Sequence, residues 1–283
     1  MTEIDDHHCC CCLSYILYAL VFFFLVVAVI WQTKYKYHLK MILFLFSMTF
    51  GAGIGGILSV PFGRTPDNHY RIFHIFQIFC SFMRLRYHVR NMDKYASMDG
   101  PCVIIGNHQS CIDVLTLTYM WPKNCVVMLK SSLKFLPGFN LCAYICNSIY
   151  INRFSKEKAH KTVDNTIHEI VSNKRKVFIY PEGTRNSNEK MLPFKKGAFK
   201  IAMEAKIPIV CSVVSQYKNF YSYEERRFDD SGDIIVEFLP PVDSTKFENI
   251  DELSDHCYAI MTEARKRLDE EIVTKFLGDK KTQ

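Results

Sequence analysis

The chain has 283 residues, 49% of them hydrophobic with 22 Phe and 15 Tyr, enough for one large core or one domain plus membrane segments. Its net charge of +6 is modest and lacks the dense basic stripe of a nucleic-acid binder, so no nucleic-acid partner is expected. An anionic membrane surface or a phosphate-bearing substrate suits that charge. The 12 cysteines are four in a row (Cys9 to Cys12) and eight scattered singly, which predicts reduced, cytosol-facing thiols rather than a disulfide framework.

Residues 1–12 read as a tail whose "HHCCCC" run has no recurring metal-ligand spacing; beside an apolar span it offers cysteines for S-palmitoylation. Residues 13–62 predict two membrane-embedded helical segments. Leu13 to Trp31 carries no charge and would be about 28 Å long as a helix, close to the hydrocarbon thickness. Acidic residues precede it (Glu3, Asp5, Asp6), which disfavours a cleaved signal peptide. Met41 to Phe62 is a second uncharged run. Within it "GAGIGG" matches the dinucleotide-binding pattern literally, but no strand precedes the glycines, so close helix packing is predicted instead.

Both flanks of the second run are basic: Lys34, Lys36 and Lys40 before it, Arg64, Arg71, Arg84, Arg86 and Arg90 after it. The positive-inside tendency then has the segment dip in and return, with a two-span hairpin as the alternative. Residues 63–95 form an amphipathic interfacial linker. From Tyr70 to Arg90, Ile72, Ile75, Phe76, Phe79 and Met83 follow helical spacing, so the stretch is either an interfacial helix with arginines on lipid phosphates or a core helix.

Residues 96–283 change pattern. Short β-branched runs at 102–105, 125–129, 148–151, 177–180, 207–214 and 233–239 alternate with helical periodicity. Helix faces are marked by Ala159, Val163, Ile167 and Ile170, by Phe199, Ala202 and Met203, and by Leu253, Cys257, Met261, Ala264 and Leu268. The fold class is therefore α/β, a mostly parallel central sheet flanked by helices, preceded by the N-terminal membrane-embedded helices. In such sheets, sites form at the carboxyl ends of strands.

Three polar clusters fall there: "NHQSCID", "INR" and "PEGTRN". A strand followed by a tight turn puts His108 on a loop and Asp113 in the first helical turn. Asp113 can then hold one imidazole nitrogen while the other takes a proton. Taken alone, the pair is as readily a structural histidine satisfied by a carboxylate.

With the other clusters the chain resembles the glycerolipid acyltransferase family, and within it the lysophosphatidic acid acyltransferases. The NHx4D block is Asn107, His108 and Asp113. The second block is "NSIYINR", ending at Arg153, the third is "YPEGTR" (Tyr180 to Arg185), and the fourth is "IPIVC" (Ile207 to Cys211). They occur in family order over residues 107–211, and "MLPFKKGAF" and "YSYEERRF" look similar to the eukaryotic members too.

The resemblance implies transfer of a fatty acyl group from acyl-CoA to the sn-2 hydroxyl of lysophosphatidic acid, giving phosphatidic acid and CoA in phospholipid synthesis. His108 would be the base and Asp113 its holder. Glu182, Gly183, Thr184 and Arg185 would shape the acceptor site. Arg153 and Arg185 would clamp the phosphate with their planar forks, with Lys130 a further cation for the same pocket. Acyl-CoA enters as a co-substrate; no resident cofactor and no metal are expected, and membrane lipid is the remaining partner.

The second block's glycine is Asn147 here, and the fourth block's second proline is Cys211, departures that bear on acyl-chain and acceptor preference. Asn147 can still adopt positive φ. Cys111, in a variable slot of the first block, is either an acyl-carrying nucleophile or a packing residue, and packing is the reading favoured. Lys280 and Lys281 resemble a dilysine signal for the endoplasmic reticulum, the expected membrane. The rival readings are the same chemistry on another lysophospholipid or on glycerol 3-phosphate, and a catalytically silent membrane scaffold.

Overall fold

The computed structural model describes residues 6–135, 138–151 and 156–277, without the side chains of 6–14, 156–161 and 277. The chain runs α1 (Asp6–Trp31), α2 (Lys36–Phe46), α3 (Ala52–Ser59), α4 (Asn68–Phe79), β1 (Leu85–Arg90), β2 (Cys102–Gly106), α5 (Asp113–Tyr119), β3 (Cys125–Lys130), α6 (Phe139–Ile145), β4 (Ile149–Ile151), α7 (Lys156–Ser172), β5 (Lys176–Ile179), α8 (Gly197–Ala205), β6 (Ile209–Val214), β7 (Tyr221–Ser222), β8 (Arg227–Phe228), β9 (Gly232–Phe238) and α9 (Ile250–Ile272).

Seven strands form one sheet in the order β1-β9-β6-β2-β5-β3-β4, parallel except where β6 meets β9. This is the predicted mostly parallel sheet. β2 lies at its centre and is buried at every position. Val103 and Ile105 point into the core formed with α7, α8 and α9, while Cys102 and Ile104 point into the core on the opposite face. Alternation between two apolar layers is why this strand reads as an unbroken hydrophobic run. The eight cysteines from Cys80 onward are free, seven of them buried.

α2 and α3 join through a wide helical turn at Ser47–Gly51, and the helix from Lys36 to Phe62 is long and apolar enough to cross a membrane. Its glycines are packing devices, as predicted. A Cβ on Gly55 would fall 2.9 Å from Ile72 Cα of α4, and one on Gly56 would fall 3.1 Å from Cys142 Sγ of α6. Lys40 Nζ donates to Asp229 O at 2.5 Å, and Lys36 Nζ to Asp230 Oδ2 at 2.8 Å. At the other end, Arg64 donates to Tyr144 O at 3.2 Å.

The stretch from Tyr70 to Arg90 is not one helix. α4 ends at Phe79 and packs inward through Ile72 and Phe76, the core-helix alternative, and Leu85–Arg90 is an edge strand. "LRYHVR" alternates apolar and polar residues with period two, the strand signature. Two of its arginines face carboxylates rather than lipid: Arg86 grips Asp233 at 2.8 and 2.5 Å, and Arg90 grips Glu271 at 2.8 and 2.7 Å.

Candidate active site

The carboxyl ends of β2, β3, β5 and β6 open on the same side of the sheet, and the polar clusters gather there. β2 closes on Gly106, where a Cβ would sit 2.9 Å from the Phe178 ring and 3.0 Å from Ser212 Oγ; glycine lets the neighbouring strands' side chains close over the strand end. Asn107 then exchanges two hydrogen bonds with Val214, donating from Nδ2 to its carbonyl at 2.9 Å and accepting its N–H at 2.8 Å. The side chain extends the β2–β6 ladder and locks the start of the loop.

His108 is fixed on every side but one. Its N–H donates to Glu182 Oε1 at 2.8 Å, and its carbonyl accepts from the Asn186 N–H at 2.8 Å. The imidazole stacks on Tyr180 with ring centres 4.0 Å apart. Nδ1–H donates to Asp113 Oδ2 at 2.6 Å, which leaves Nε2 for a substrate. Asp113 is 3% exposed, and the same oxygen accepts the N–H groups of Gln109 at 2.7 Å and Ser110 at 3.0 Å. Both N–H groups belong to the turn before α5, and Asp113 reaches back to them because it is the first residue of that helix. A carboxylate held by neutral donors keeps its negative charge for the imidazolium that forms when Nε2 takes a proton.

Glu182 is 3% exposed, and its second oxygen accepts the Leu192 N–H at 2.9 Å. It shapes the site by pinning two loops. Gly183 sits at φ +71°, and a Cβ there would strike Lys195 Cε at 2.7 Å, so the turn requires glycine. Thr184 and Arg185 are exposed at its tip, and among the described residues Arg185 makes no ion pair. Lys195, which passes against Gly183, is a cation that motif reading did not single out, although it lies in the quoted "MLPFKKGAF". Lys130 ends β3 opposite Ile151 of β4. Arg153, two residues further along the chain, lies outside the described residues, as do Lys280 and Lys281. Asn147 adopts φ +55°, the conformation that the missing glycine would have supplied. Cys111 packs into the core on the α5 side of the sheet, with Ser110 Oγ 3.8 Å from its sulfur.

Residues 86–215 match the family described as Acyltransferase. The chain is 55% identical over 235 residues to a Caenorhabditis elegans protein provisionally named a 1-acyl-sn-glycerol-3-phosphate acyltransferase, covering 83% of this chain and 89% of that one. Human 1-acyl-sn-glycerol-3-phosphate acyltransferase beta is 36% identical over 201 residues, covering 70% and 72%. The crystal structure of the 1-acyl-sn-glycerophosphate acyltransferase of Thermotoga maritima shares the fold, with a TM-score of 0.66 at 18% identity over 83% of this chain and 97% of that one.

Proposed function

The chain belongs to the glycerolipid acyltransferase family, and from that premise we propose that it transfers a fatty acyl group from acyl-CoA to the sn-2 hydroxyl of lysophosphatidic acid, forming phosphatidic acid and CoA in phospholipid synthesis. The observation that carries the reading is the His108–Asp113 pair, clamped through both backbone groups of His108 and set beside the exposed Arg185. His108 Nε2 takes the hydroxyl proton as the alkoxide oxygen attacks the thioester carbonyl. The tetrahedral intermediate collapses, the C–S bond breaks, and the departing thiolate takes the proton from the imidazolium. Arg185, with Arg153, Lys130 and Lys195, supplies positive charge for the acceptor phosphate.

An apolar cavity of about 90 Å³ between the N-terminal helices and the sheet, lined by Ala52, Phe73, Val114, Leu117 and Trp121, begins one residue past Asp113; it has room for a few methylenes, and a whole fatty acyl chain would need the helices to move apart. Membrane attachment is supported by the Lys36–Phe62 helix and by exposed apolar residues from Tyr15 to Val29. Both ends of that helix bond to the α/β domain, at Asp229–Asp230 and at Tyr144, which favours a segment that dips in and returns over one that crosses.

Thiol release from oleoyl-CoA in purified membranes tests the reading. Release is expected with lysophosphatidic acid and to be at least about tenfold slower with glycerol 3-phosphate or lysophosphatidylcholine. Faster release with either of those moves the acceptor assignment. No acceptor-dependent release at all favours the silent scaffold.

A further inference from the structure

Behind Asp113 lies a set of polar atoms that the transfer scheme leaves unused. Asp113 commits Oδ2 to three donors, while Oδ1 is buried with no hydrogen-bond partner. Tyr87 of β1 also buries a hydroxyl with no partner. Thr116 Oγ1 and the Tyr217 hydroxyl are 2.8 Å apart and buried. Thr116 lies one turn along α5 from Asp113, on the same face. Tyr217 follows β6, and its neighbour Gln216 donates its N–H to Asp269 Oδ1 of α9 at 2.6 Å, which fixes that loop. Tyr87 is held by stacking on Tyr119, with centres 3.9 Å apart.

Each hydroxyl donates one proton and can accept others, whereas a carboxylate only accepts. Tyr87 lies beside Thr116, and Tyr217 beside both Thr116 and Asp113, so one direction of bonding would serve both orphan atoms: Tyr87 donating to Thr116, Thr116 to Tyr217, and Tyr217 to Asp113 Oδ1. The reverse order would have to start from a proton that the Asp113 carboxylate lacks. We propose that these three hydroxyls form a one-way chain of hydrogen bonds ending on Asp113 Oδ1, with Tyr217 as a positioning residue for the His108–Asp113 pair. The inference rests on His108 being the base.

Burial, with the Asp113 charge among the further causes, pushes the phenols of Tyr87 and Tyr217 well above their ordinary range, so both remain donors at working pH. A donor on Oδ1 fixes the plane of the carboxylate and draws off part of its charge. Without it more of that charge falls on the imidazole. The other charged or titratable groups around the pair, Glu182, Arg185, Arg265 and Tyr180, are unchanged by substitutions in the chain.

The test uses the full chain in membranes. Tyr217→Phe keeps the ring and removes the donor. It is expected to lower kcat about tenfold or more with both KM values within about twofold, and to move the acidic limb of the kcat/KM profile toward higher pH. Thr116→Val should act in the same direction, and Thr116→Ser, which keeps a hydroxyl, should return the limb to its parental place. The pH dependence of His108 carbethoxylation by diethyl pyrocarbonate, read by peptide mass, should shift alike and requires neither substrate. Unshifted profiles in Tyr217→Phe, or activity lost only in proportion to folded protein, overturn the proposal. A shifted carbethoxylation profile in a protein that does not acylate lysophosphatidic acid removes the acceptor assignment and keeps the hydroxyl chain.

Discussion

His108 meets Asp113 at 2.6 Å and His88 meets Asp233 at 3.0 Å, and both aspartates are 3% exposed, so distance and burial do not separate the two pairs. Their other partners do. Asp233 is gripped through both oxygens by Arg86, and the His88 ring stacks on Phe276 between the edge strand and the C-terminal segment. Its charge is already matched by a guanidinium. Besides His108, Asp113 is bonded by no cation, only by neutral donors, and its pair lies where four strand ends open. A histidine–aspartate pair is thus a clasp when a cation neutralises the carboxylate, and a base with its holder when the carboxylate charge is kept for the imidazole.

The largest test of that contrast exchanges the histidines. His108→Ala is expected to lower acceptor-dependent thiol release by about 10³-fold, and His88→Ala by less than about threefold. Comparable losses would erase the distinction. Substituting the aspartates should split activity from stability. Asp113→Asn is expected to cost about 10²- to 10⁴-fold in kcat, because the amide favours the wrong imidazole tautomer, with little change in thermal midpoint.

Asp233→Asn should destabilise the fold by about 2 kcal/mol, less than for a fully buried pair because Arg86 is 58% exposed, with kcat per folded molecule unchanged. Its pH dependence has a definite sign. Burial would raise the Asp233 carboxyl, but the bonds from Arg86 and His88 outweigh burial and hold it below its ordinary value of 3.8. The stabilisation is therefore present above that value and is lost as pH falls through the lower folded one. Denaturation of parent and Asp233→Asn across that range should show the difference shrinking toward acid.

A smaller effect separates the proposed phosphate clamp from both pairs. Arg185→Ala is expected to raise the KM for lysophosphatidic acid about tenfold while leaving the KM for acyl-CoA nearly unchanged. Smallest of all, Cys111→Ser should keep activity within about twofold. A collapse there would instead make the thiol an acyl carrier and His108 its activator.

Much of the site is local and was therefore legible. A strand, a tight turn and a helix start bring His108 and Asp113 together across a few residues, and backbone geometry fixes that meeting without help from the rest of the chain. The same holds for Gly183 at its turn and for Asn147, whose positive φ its side chain allows. The alternation of strands and helices likewise announced a mostly parallel sheet.

What stayed hidden depends on contacts between distant segments. The period-two pattern of Leu85–Arg90 was present, but its arginines found their partners only across the sheet and on α9, in Asp233 and Glu271. Glu182 was legible as a motif member, yet its hold on the His108 backbone appears only when β2 and β5 pair. The meeting of Tyr87, Thr116 and Tyr217 behind Asp113 draws on β1, α5 and the loop after β6. Turn and helix geometry are set by neighbouring residues, so the sequence alone determined that His108 meets Asp113. Register, burial and which charges meet are set by packing, so only the tertiary structure decided which histidine–aspartate pair also carries an arginine and what stands behind the other.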